Sequence, residues 1–340
     1  MSLNNPGFYN GESMVINAVF SGIVESLKPS DFGLSHDAMF TKVPFKSAGN
    51  GMGTYMRYNL SDNLREVDEE LLVRRIATPA FAISRPRSYE TFKVTRRHLD
   101  AAVSEEDAQM IKDQTQGVDD PHVTEVQWVR EVMLLAKERR ASKFAASVVN
   151  VGTNVSPAIA WDQPGCDPLA DLVNLRLTVK AKSGLFPDHL AMPYEVALRL
   201  SMNPSIRALR GNAERKLANQ NELALLLKDM LALKEVVLFT AMYNTVRPSP
   251  TPSTNLLSVW GPNVYMWSKP SSDGFTSLSW GIEAVDTYHG GDFTSPAYNI
   301  PLPDSEVMKY RIKEDSDFIP LNKEVAGAIR NVITLPTATP

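Results

Sequence analysis

The sequence has one cysteine, no long apolar run and no leading signal segment. Because Cys166 is alone among 340 residues, a disulfide within one chain and a zinc site built on several thiolates are both excluded. No stretch approaches the roughly 18 consecutive apolar residues of a transmembrane helix. The start of the chain, MSLNNPGFYNGES, has neither the basic nor the apolar region of a signal peptide. We therefore expect a protein that folds in a reducing compartment without a membrane-spanning segment.

A strong excess of positive charge is also missing. The net charge is -4 at pH 7, which disfavours a protein whose main role is to bind nucleic acid. Weak, non-specific contact with DNA through local basic patches stays compatible with this charge. Hydrophobic residues make up 43% of the chain and charged residues 22%, as in ordinary globular proteins. The length then predicts one large or two modest folded domains.

The sequence lacks a recognisable catalytic or cofactor motif. The stretch from Gly49 to Gly53 has neither the Lys-Ser/Thr ending of a phosphate loop nor the spacing of a dinucleotide fingerprint. His289-Gly290-Gly291 is not accompanied by the G-x-S-x-G motif of hydrolases. No metal-binding spacing relates the histidines, which are His36, His98, His122, His189 and His289. We therefore predict no catalytic residue, no cofactor and no metal site, and we expect that the chain is not an enzyme.

A charge-dense segment, residues 62–75, lies between two stretches that alternate like β-strands, residues 54–58 and 89–94. A connection of this length is uncommon inside a compact domain and is usually functional. Since such a segment buries little surface by itself, another surface is expected to cover it. Arginines accompany the acidic run, which favours salt bridges over a metal site. The residues expected to contact a neighbour are Arg65, Glu66, Asp68, Glu69, Glu70, Arg74 and Arg75.

Asp120-Pro121 predicts the start of the longest helix, which runs to about Val149 and spans roughly 40 Å. Its apolar side is predicted at Val126, Val129, Val132, Met133, Ala136 and Phe144. Its solvent side is predicted at Glu125, Arg130, Glu131, Lys137, Glu138, Arg139 and Arg140.

An ordered series of helix and strand signals extends from Trp161 to Gly211. Asp167-Pro168 predicts a helix start and Gly184 its end. A short apolar strand, residues 190–192, follows, and then a helix that ends at Asn203-Pro204.

The last third of the chain alternates predicted strands with loops. Strands are predicted at residues 235–239, 263–267 and 306–312, after a helix at 221–233. Residues 243–254 and 270–303 are rich in Pro, Ser, Thr and Gly and are interpreted as loops. The five tryptophans are interpreted as core or interface anchors; they are Trp128, Trp161, Trp260, Trp267 and Trp280.

This order of signals resembles that of tailed-phage major capsid proteins with the Hong Kong 97 fold. At the junction of their two domains, such proteins have a tryptophan, an aspartate-capped helix, a glycine, a proline-led strand and a helix that ends in a proline-containing turn. The matching positions here are Trp161, Asp167, Gly184, Pro187, Val196 to Leu200, and Asn203-Pro204. The resemblance implies an α+β fold with an N-terminal arm, an extended β-hairpin loop, axial and peripheral domains and a long spine helix.

The resemblance also implies domain boundaries. The arm is expected at residues 1–40 and the extended loop at 41–93. The peripheral domain is expected at 94–182 and 304–340, with the spine helix at 121–149, and the axial domain at 183–303.

The implied function is that of a major capsid protein, which self-assembles into the icosahedral head around double-stranded phage DNA. The expected partners are copies of the chain in hexamers and pentamers, portal and scaffolding or decoration proteins, and packaged DNA bound non-specifically, with no membrane. The protein is expected in the virion after assembly in the host cytoplasm. The extended loop is expected to reach an adjacent subunit, and little or no cleavage is expected at the start of the chain.

Two alternatives remain open at this point. One is an encapsulin-like cellular shell protein of the same fold, which encloses protein cargo. The other is a hydrolase whose site has no recognisable motif.

Overall fold

The computed structural model describes residues 15–16, 18–58, 87–115, 119–209, 220–245, 256–269, 274, 278–288, 297–301 and 307–334. Within these ranges the chain combines two mixed β-sheets, two separate two-stranded ribbons and several helices. The arrangement is α+β, as the sequence predicts.

The helices include one that is much longer than the others. They are α1 (Ala18–Ser26), α2 (His36–Met39), α3 (Glu105–Gln114), α4 (Pro121–Ala146), α5 (Pro168–Ser183), α6 (Tyr194–Met202), α7 (Pro204–Leu209) and α8 (Gln220–Met230). Short 3-10 turns lie at Pro29–Phe32, Val148–Asn150 and Lys323–Val325.

The strands range from two residues to fourteen. They are β1 (Val15–Ile16), β2 (Thr41–Phe45), β3 (Met52–Tyr58), β4 (Arg87–Lys93), β5 (Arg96–Ser104), β6 (Thr153–Val155), β7 (His189–Pro193), β8 (Glu235–Phe239), β9 (Met242–Asn244), β10 (Leu256–Ser258), β11 (Val264–Trp267), β12 (Gly281–Asp286), β13 (Ala297–Pro301), β14 (Val307–Pro320) and β15 (Ala326–Ile329).

The long strand β14 organises the six-stranded sheet. It pairs antiparallel with β5 and β13 along its first half and with β12 along its second half. The strand β2 adds to β12 in parallel, and β1 pairs with β13. Helix α4 packs against this sheet, and Val126, Val129 and Met133 bury their side chains against Tyr310 and Ile312 of β14.

The five-stranded sheet has the order β6-β15-β11-β7-β8. Helix α5 packs on its face, where Leu175 and Val179 close over Gly327 of β15. A Cβ atom at Gly327 would lie only 2.7 Å from each of these side chains, so the close approach requires glycine there. After α4 the chain enters the five-stranded sheet at β6, and after β11 it returns to the six-stranded sheet through β12 and β14. The chain therefore links the two sheets.

The predicted helix signals are confirmed. The Asp120 carboxylate accepts a hydrogen bond from His122 N, with Pro121 at the first helical position of α4. The Asp167 carboxylate accepts one from Ala170 N at the start of α5. Gly184 ends α5 in the left-handed region, with φ of 71°.

The interpretation of residues 270–303 as loop is wrong for β12 and β13. All six residues of β12 are buried between β14 and β2, although two of them are acidic. Residues 96–104, for which no strand is predicted, form the strand β5, whose polar residues Arg96, Arg97 and His98 pair along one edge of β14. Tertiary pairing decides these strands, and local propensity does not reveal it.

The predicted solvent side of the long helix is wrong at three positions. Arg130, Lys137 and Glu138 are buried in α4, whereas Val132 is 38% exposed. The reason is that remote segments supply polar partners to the helix. On α5, Val173 is also exposed.

Four tryptophans lie in the core as expected, and one does not. Trp260, Trp267 and Trp280 pack in one cluster with Tyr265, and Trp161 packs in a second cluster. Trp128 is 55% exposed. None of the helices in the described ranges is long and apolar enough to cross a membrane.

Candidate functional site

The β3–β4 hairpin is the base of the charged segment. Its strands pair antiparallel from Met52 opposite Lys93 to Tyr58 opposite Arg87, and they pair with no other strand of the described chain. Residues 59–86, which include the charged segment, connect Tyr58 to Arg87 and lie outside the described residues.

Polar contacts fix the hairpin against β14. The Tyr55 hydroxyl lies 2.7 Å from Glu90 Oε2 and 2.8 Å from the carbonyl oxygen of Pro320, and it can donate to one of them at a time. Burial and the neighbouring Glu90 carboxylate raise the pKa of Tyr55, so its proton stays in place at neutral pH. Arg57 Nη1 donates to Glu90 Oε1 at 2.8 Å, and its Nη2 lies 3.9 Å from Glu324 Oε2.

Apolar packing supports the same end of the hairpin. Tyr55 and Val94 are buried together with Ile282 of β12 and Ile319 of β14. Gly51 adopts φ of 70° at the turn before β3, and a Cβ atom there would collide with the carbonyl oxygen of Val94. These contacts hold the hairpin against β12 and β14.

The predicted contact residues lie outside the described residues. They are Arg65, Glu66, Asp68, Glu69, Glu70, Arg74 and Arg75. Their contact role therefore stays a prediction.

A second group of polar residues lies along α4, inside the protein. Lys137 Nζ is 2.7 Å from Glu283 Oε1 and 3.1 Å from Glu314 Oε1. The latter oxygen also accepts from Arg140 Nη2 at 2.7 Å and from Ser316 Oγ at 2.6 Å. These contacts join the helix to β12 and β14.

The protonation of this ion-pair group follows from its charges. Burial alone would lower the pKa of Lys137, but Glu314 and Glu283 outweigh burial and raise it. Burial alone would raise the pKa of Glu314, but the charges of Lys137 and Arg140 outweigh burial and lower it to about 2. Both side chains are therefore charged at neutral pH, and they compensate each other inside the protein.

Glu138 forms a neighbouring group on the next residue of α4. Its carboxylate accepts from the backbone nitrogens of Ser35 and His36, from Trp260 Nε1 at 2.6 Å, and lies 2.6 Å from His36 Nδ1. The side chains of Glu138 and His36 are completely buried. Burial would lower the pKa of His36, but the neighbouring carboxylates of Asp37 and Glu138 outweigh burial and raise it.

The sequence interpretation missed these two groups, although a spacing signal for them exists. Arg130, Lys137 and Glu138 fall on the same helical stripe as Val126 and Ala141, given 3.6 residues per turn. Polar residues on an apolar stripe indicate buried polar partners. The partners themselves, on β12, β14 and α2, carry no local signal.

An apolar surface lies on the outer side of α4. Trp128 and Val132 are one turn apart and exposed, and Met242 of β9 is 45% exposed. These three side chains line a groove together with Leu34 and Leu135. An apolar groove of this kind is typical of a protein contact surface.

Comparisons with known proteins identify the fold. No protein-family model matches the sequence, and no curated protein matches it. The crystal structure of a phage-related protein from Bordetella bronchiseptica RB50 matches with a TM-score of 0.67 and 16% identity over 94% of this chain and 98% of that one. The capsid structure of the cyanophage P-SCSP1u matches with a TM-score of 0.55 and 8% identity over 85% of both chains.

The similarity to an encapsulin is weaker. The encapsulin of Synechococcus elongatus PCC 7942 matches with a TM-score of 0.49 and 12% identity over 87% of this chain and 86% of that one. A likeness at this level carries no argument about the chain.

The fold defines the class to which this structure belongs. Two sheets, a long helix and a separate two-stranded hairpin together form a phage capsid-type α+β fold. It is the Hong Kong 97-type fold, as the sequence analysis expects.

Proposed function

We propose that the chain is a major capsid protein, which self-assembles into the icosahedral head that encloses double-stranded phage DNA. The observation that carries this proposal is the fold, which overlaps 85% of the cyanophage capsid chain. The contacts of the described residues support an assembly role, since two of their surfaces lack a covering element.

The first surface is the hairpin. A two-stranded ribbon is marginally stable in water unless something packs against it. Tyr55, in the middle of β3, and Arg57, next to its last residue, hold the described hairpin, and residues 59–86 with the charged segment connect its two strands. In the proposal, that segment lies on an adjacent subunit, and Arg65, Glu66, Asp68, Glu69, Glu70, Arg74 and Arg75 form ion pairs with it.

The second surface is the groove at Trp128, Val132 and Met242. Large apolar side chains that are half exposed in one chain become buried when copies of the chain associate. In the proposal, this groove lies between neighbouring subunits of a hexamer or pentamer.

The proposed domain division follows the strand pairings. The arm spans residues 1–40, and the extended loop begins after β2, since β2 pairs with β12. The peripheral domain contains α4, β5 and β12 to β14, which share one sheet. The axial domain contains α5, α6, α8 and the sheet from β6 to β8, which share one core. This proposed division differs from the expected one, because α5, β6 and β15 join the axial domain and β12 joins the peripheral domain.

The proposed role is structural, without a catalytic activity. Its further partners are portal and scaffolding or decoration proteins, and packaged DNA contacted non-specifically. The assembled protein is located in the virion, after assembly in the host cytoplasm.

Sedimentation of the purified protein tests this proposal. A shell protein forms one fast boundary that far exceeds a monomer, and nuclease-protected DNA in particles from infected or induced cells supports a phage head. Protein cargo in the particles would instead support a cellular shell. A monomer with a hydrolytic turnover that one His or Glu substitution abolishes would overturn the proposal.

A further inference from the structure

Three buried polar atoms from α2 and β12 converge on one point. They are His36 Nε2, Asp37 Oδ1 and Glu283 Oε2, and all lie within 4.8 Å of one another. None of them has a hydrogen-bond partner among the described residues. His36 and Glu283 are completely buried, and Asp37 buries this oxygen while the rest of its side chain is partly exposed.

Contacts within the group account for only part of this convergence. His36 Nε2 and Asp37 Oδ1 are 3.1 Å apart and form an ion pair when the imidazole is protonated, whereas Glu283 Oε2 has no partner among the described residues. Buried polar atoms without partners are rare in folded proteins, because each loses its hydration without compensation. Adjacent ligands of a metal ion at about 2.1 Å are about 3 Å apart and point at the ion rather than at each other.

The surroundings orient the imidazole of His36 as a metal ligand. Its Nδ1 lies 2.6 Å from Glu138 Oε2, and Glu138 is itself held by Trp260 Nε1. In the neutral form of the imidazole, this carboxylate accepts the Nδ1 proton and leaves the lone pair of Nε2 directed at the convergence point. Metal-binding histidines characteristically have such a carboxylate behind them, which fixes their tautomer and ring orientation.

Rigid elements hold all three donors. His36 and Asp37 are the first two residues of α2. Met39, at the end of this helix, and Phe40, directly after it, are packed in the core. Glu283 lies in the middle of β12, with β14 on one side and β2 on the other. Since neither element can move far, the donor set is formed before any ion binds.

The charges near the site also fit a divalent ion. The carboxylates of Asp37 and Glu283 supply two negative charges, and Lys137 contacts only the other oxygen of Glu283. Glu314 holds the Lys137 ammonium on its far side at 3.1 Å. Lys42 lies near the other oxygen of Asp37, at 3.4 Å. Lys137 and Lys42 are therefore paired with the other oxygen of each carboxylate, and Asp37 Oδ1 and Glu283 Oε2 are the oxygens that face the convergence point.

We propose that His36 Nε2, Asp37 Oδ1 and Glu283 Oε2 bind a divalent first-row transition ion. One imidazole nitrogen and two carboxylate oxygens match Mn²⁺ or Zn²⁺, whereas Mg²⁺ and Ca²⁺ prefer oxygen ligands throughout. The ion ties α2 to β12 beside the spine helix α4, so its role is structural. An open cavity lined by Ser35, Lys42 and Arg130 reaches Asp37, the partly exposed member of the set.

This site departs from the sequence prediction that the chain has no metal site. His36 and Asp37 are adjacent, but Glu283 is far from them in the sequence, so no motif spacing reveals the set. The site does not depend on the proposed function, because all three donors belong to one chain. Metal binding at this site can be measured on shells or on free subunits.

Metal titration of the whole protein tests the proposal. The protein is stripped with a chelator, exchanged into chelator-free buffer and titrated with Zn²⁺ and with Mn²⁺ by calorimetry, with Mg²⁺ for comparison. We expect one Zn²⁺ or Mn²⁺ to bind per chain and to raise the Tm, and Mg²⁺ to do neither. If the wild-type protein binds neither Zn²⁺ nor Mn²⁺ stoichiometrically, the proposal is overturned, whatever the variants do.

Variants assign the binding to this site. Asp37→Asn keeps the shape of the side chain and removes its charge, and Asp107→Asn removes an exposed carboxylate on α3 as a matched control. Because loss of a supporting contact alone weakens metal sites by about 10–100-fold, Asp37→Asn should weaken binding at least about tenfold. Glu283→Gln should do the same, and the control should bind like the wild type. Equal affinities in Asp37→Asn and Asp107→Asn would overturn the proposal.

Discussion

Lys137 Nζ lies 2.7 Å from Glu283 Oε1, and both side chains are almost completely buried. Lys137 belongs to the long helix α4, and Glu283 belongs to the central strand β12. The contact, together with Glu314 on β14, fixes the helix to the sheet by charge as well as by apolar packing. Such a buried ion-pair group is destabilised by the loss of one partner, because the charges that remain are still buried.

We expect Lys137→Met to destabilise the subunit strongly. The substitution leaves Glu283 without its cation and Glu314 with Arg140 alone, so the free energy of unfolding should fall by about 3–5 kcal/mol. Urea unfolding of purified subunits measures this change. Lys143→Met, at an exposed position of the same helix, is the control and should change the free energy by about 0.5 kcal/mol or less. Equal effects of the two substitutions would contradict the claim that the buried ion pairs of Lys137 stabilise the subunit.

The depressed pKa of Glu314 predicts how stability responds to acid. Its folded-state pKa of about 2 is below its ordinary value of 4.5, so its contribution is fully present above pH 4.5. That contribution, about 3 kcal/mol, is lost as the pH falls from about 4.5 towards 2. Unfolding free energies of the wild type and of Glu314→Gln between pH 6 and pH 2, on the order of one measurement per half pH unit, measure it. The variant should lose less stability over this range; parallel curves would count against the assignment.

The predictable part of the fold is the part with local signals. Asp120-Pro121, Asp167-Pro168 and Gly184 mark helix ends through their own backbone chemistry, and the structure confirms each of them. The alternating residues of β3 and β4 are sufficient to identify that hairpin. In these segments the neighbours in sequence supply the decisive contacts.

The missed part depends on contacts between distant segments. The strand β12 is short, contains Glu283 and Asp286 and follows a Gly- and Ser-rich stretch, so its pattern is not that of a buried strand. It is buried because β2 and β14 pair with it and because Lys137 meets its acid. For the same reason, the sequence pattern alone predicts that Lys137 and Glu138 lie on the solvent side of the helix. The charged candidate residues 65–75 lie outside the described residues, and their role stays a prediction.

The exposed tryptophan of α4 should matter for assembly and little for folding. Trp128→Glu places a charge in the groove with Val132 and Met242, which a neighbouring chain could bury only at a high cost in desolvation. Because Trp128 is 55% exposed in the subunit, the Tm of the free subunit should change little. Light scattering of the purified variant should detect fewer particles than the wild type. Trp128→Phe, which keeps an apolar ring, should assemble normally; particles in normal yield from Trp128→Glu would exclude this groove from the interface.

Charge reversal in the extended segment tests the predicted ion pairs. The double substitution Arg74→Glu and Arg75→Glu should impair particle formation and leave the subunit folded, since the segment contacts a neighbour in the proposal. Circular dichroism reports folding, and sucrose-gradient sedimentation reports particles. Arg74→Lys with Arg75→Lys preserves the charge and is the matched control. A normal particle yield from the reversed variant would remove these arginines from the interface.

Electron microscopy of the purified protein tests the central claim most directly. In the proposed function, neighbouring copies of the chain cover the hairpin, which pairs with no other strand in the described ranges, and the exposed apolar groove. The account predicts closed, icosahedral shells of uniform diameter, with one copy's extended segment lying over the next. Micrographs of the folded protein that contain only monomers or small open oligomers would contradict this account.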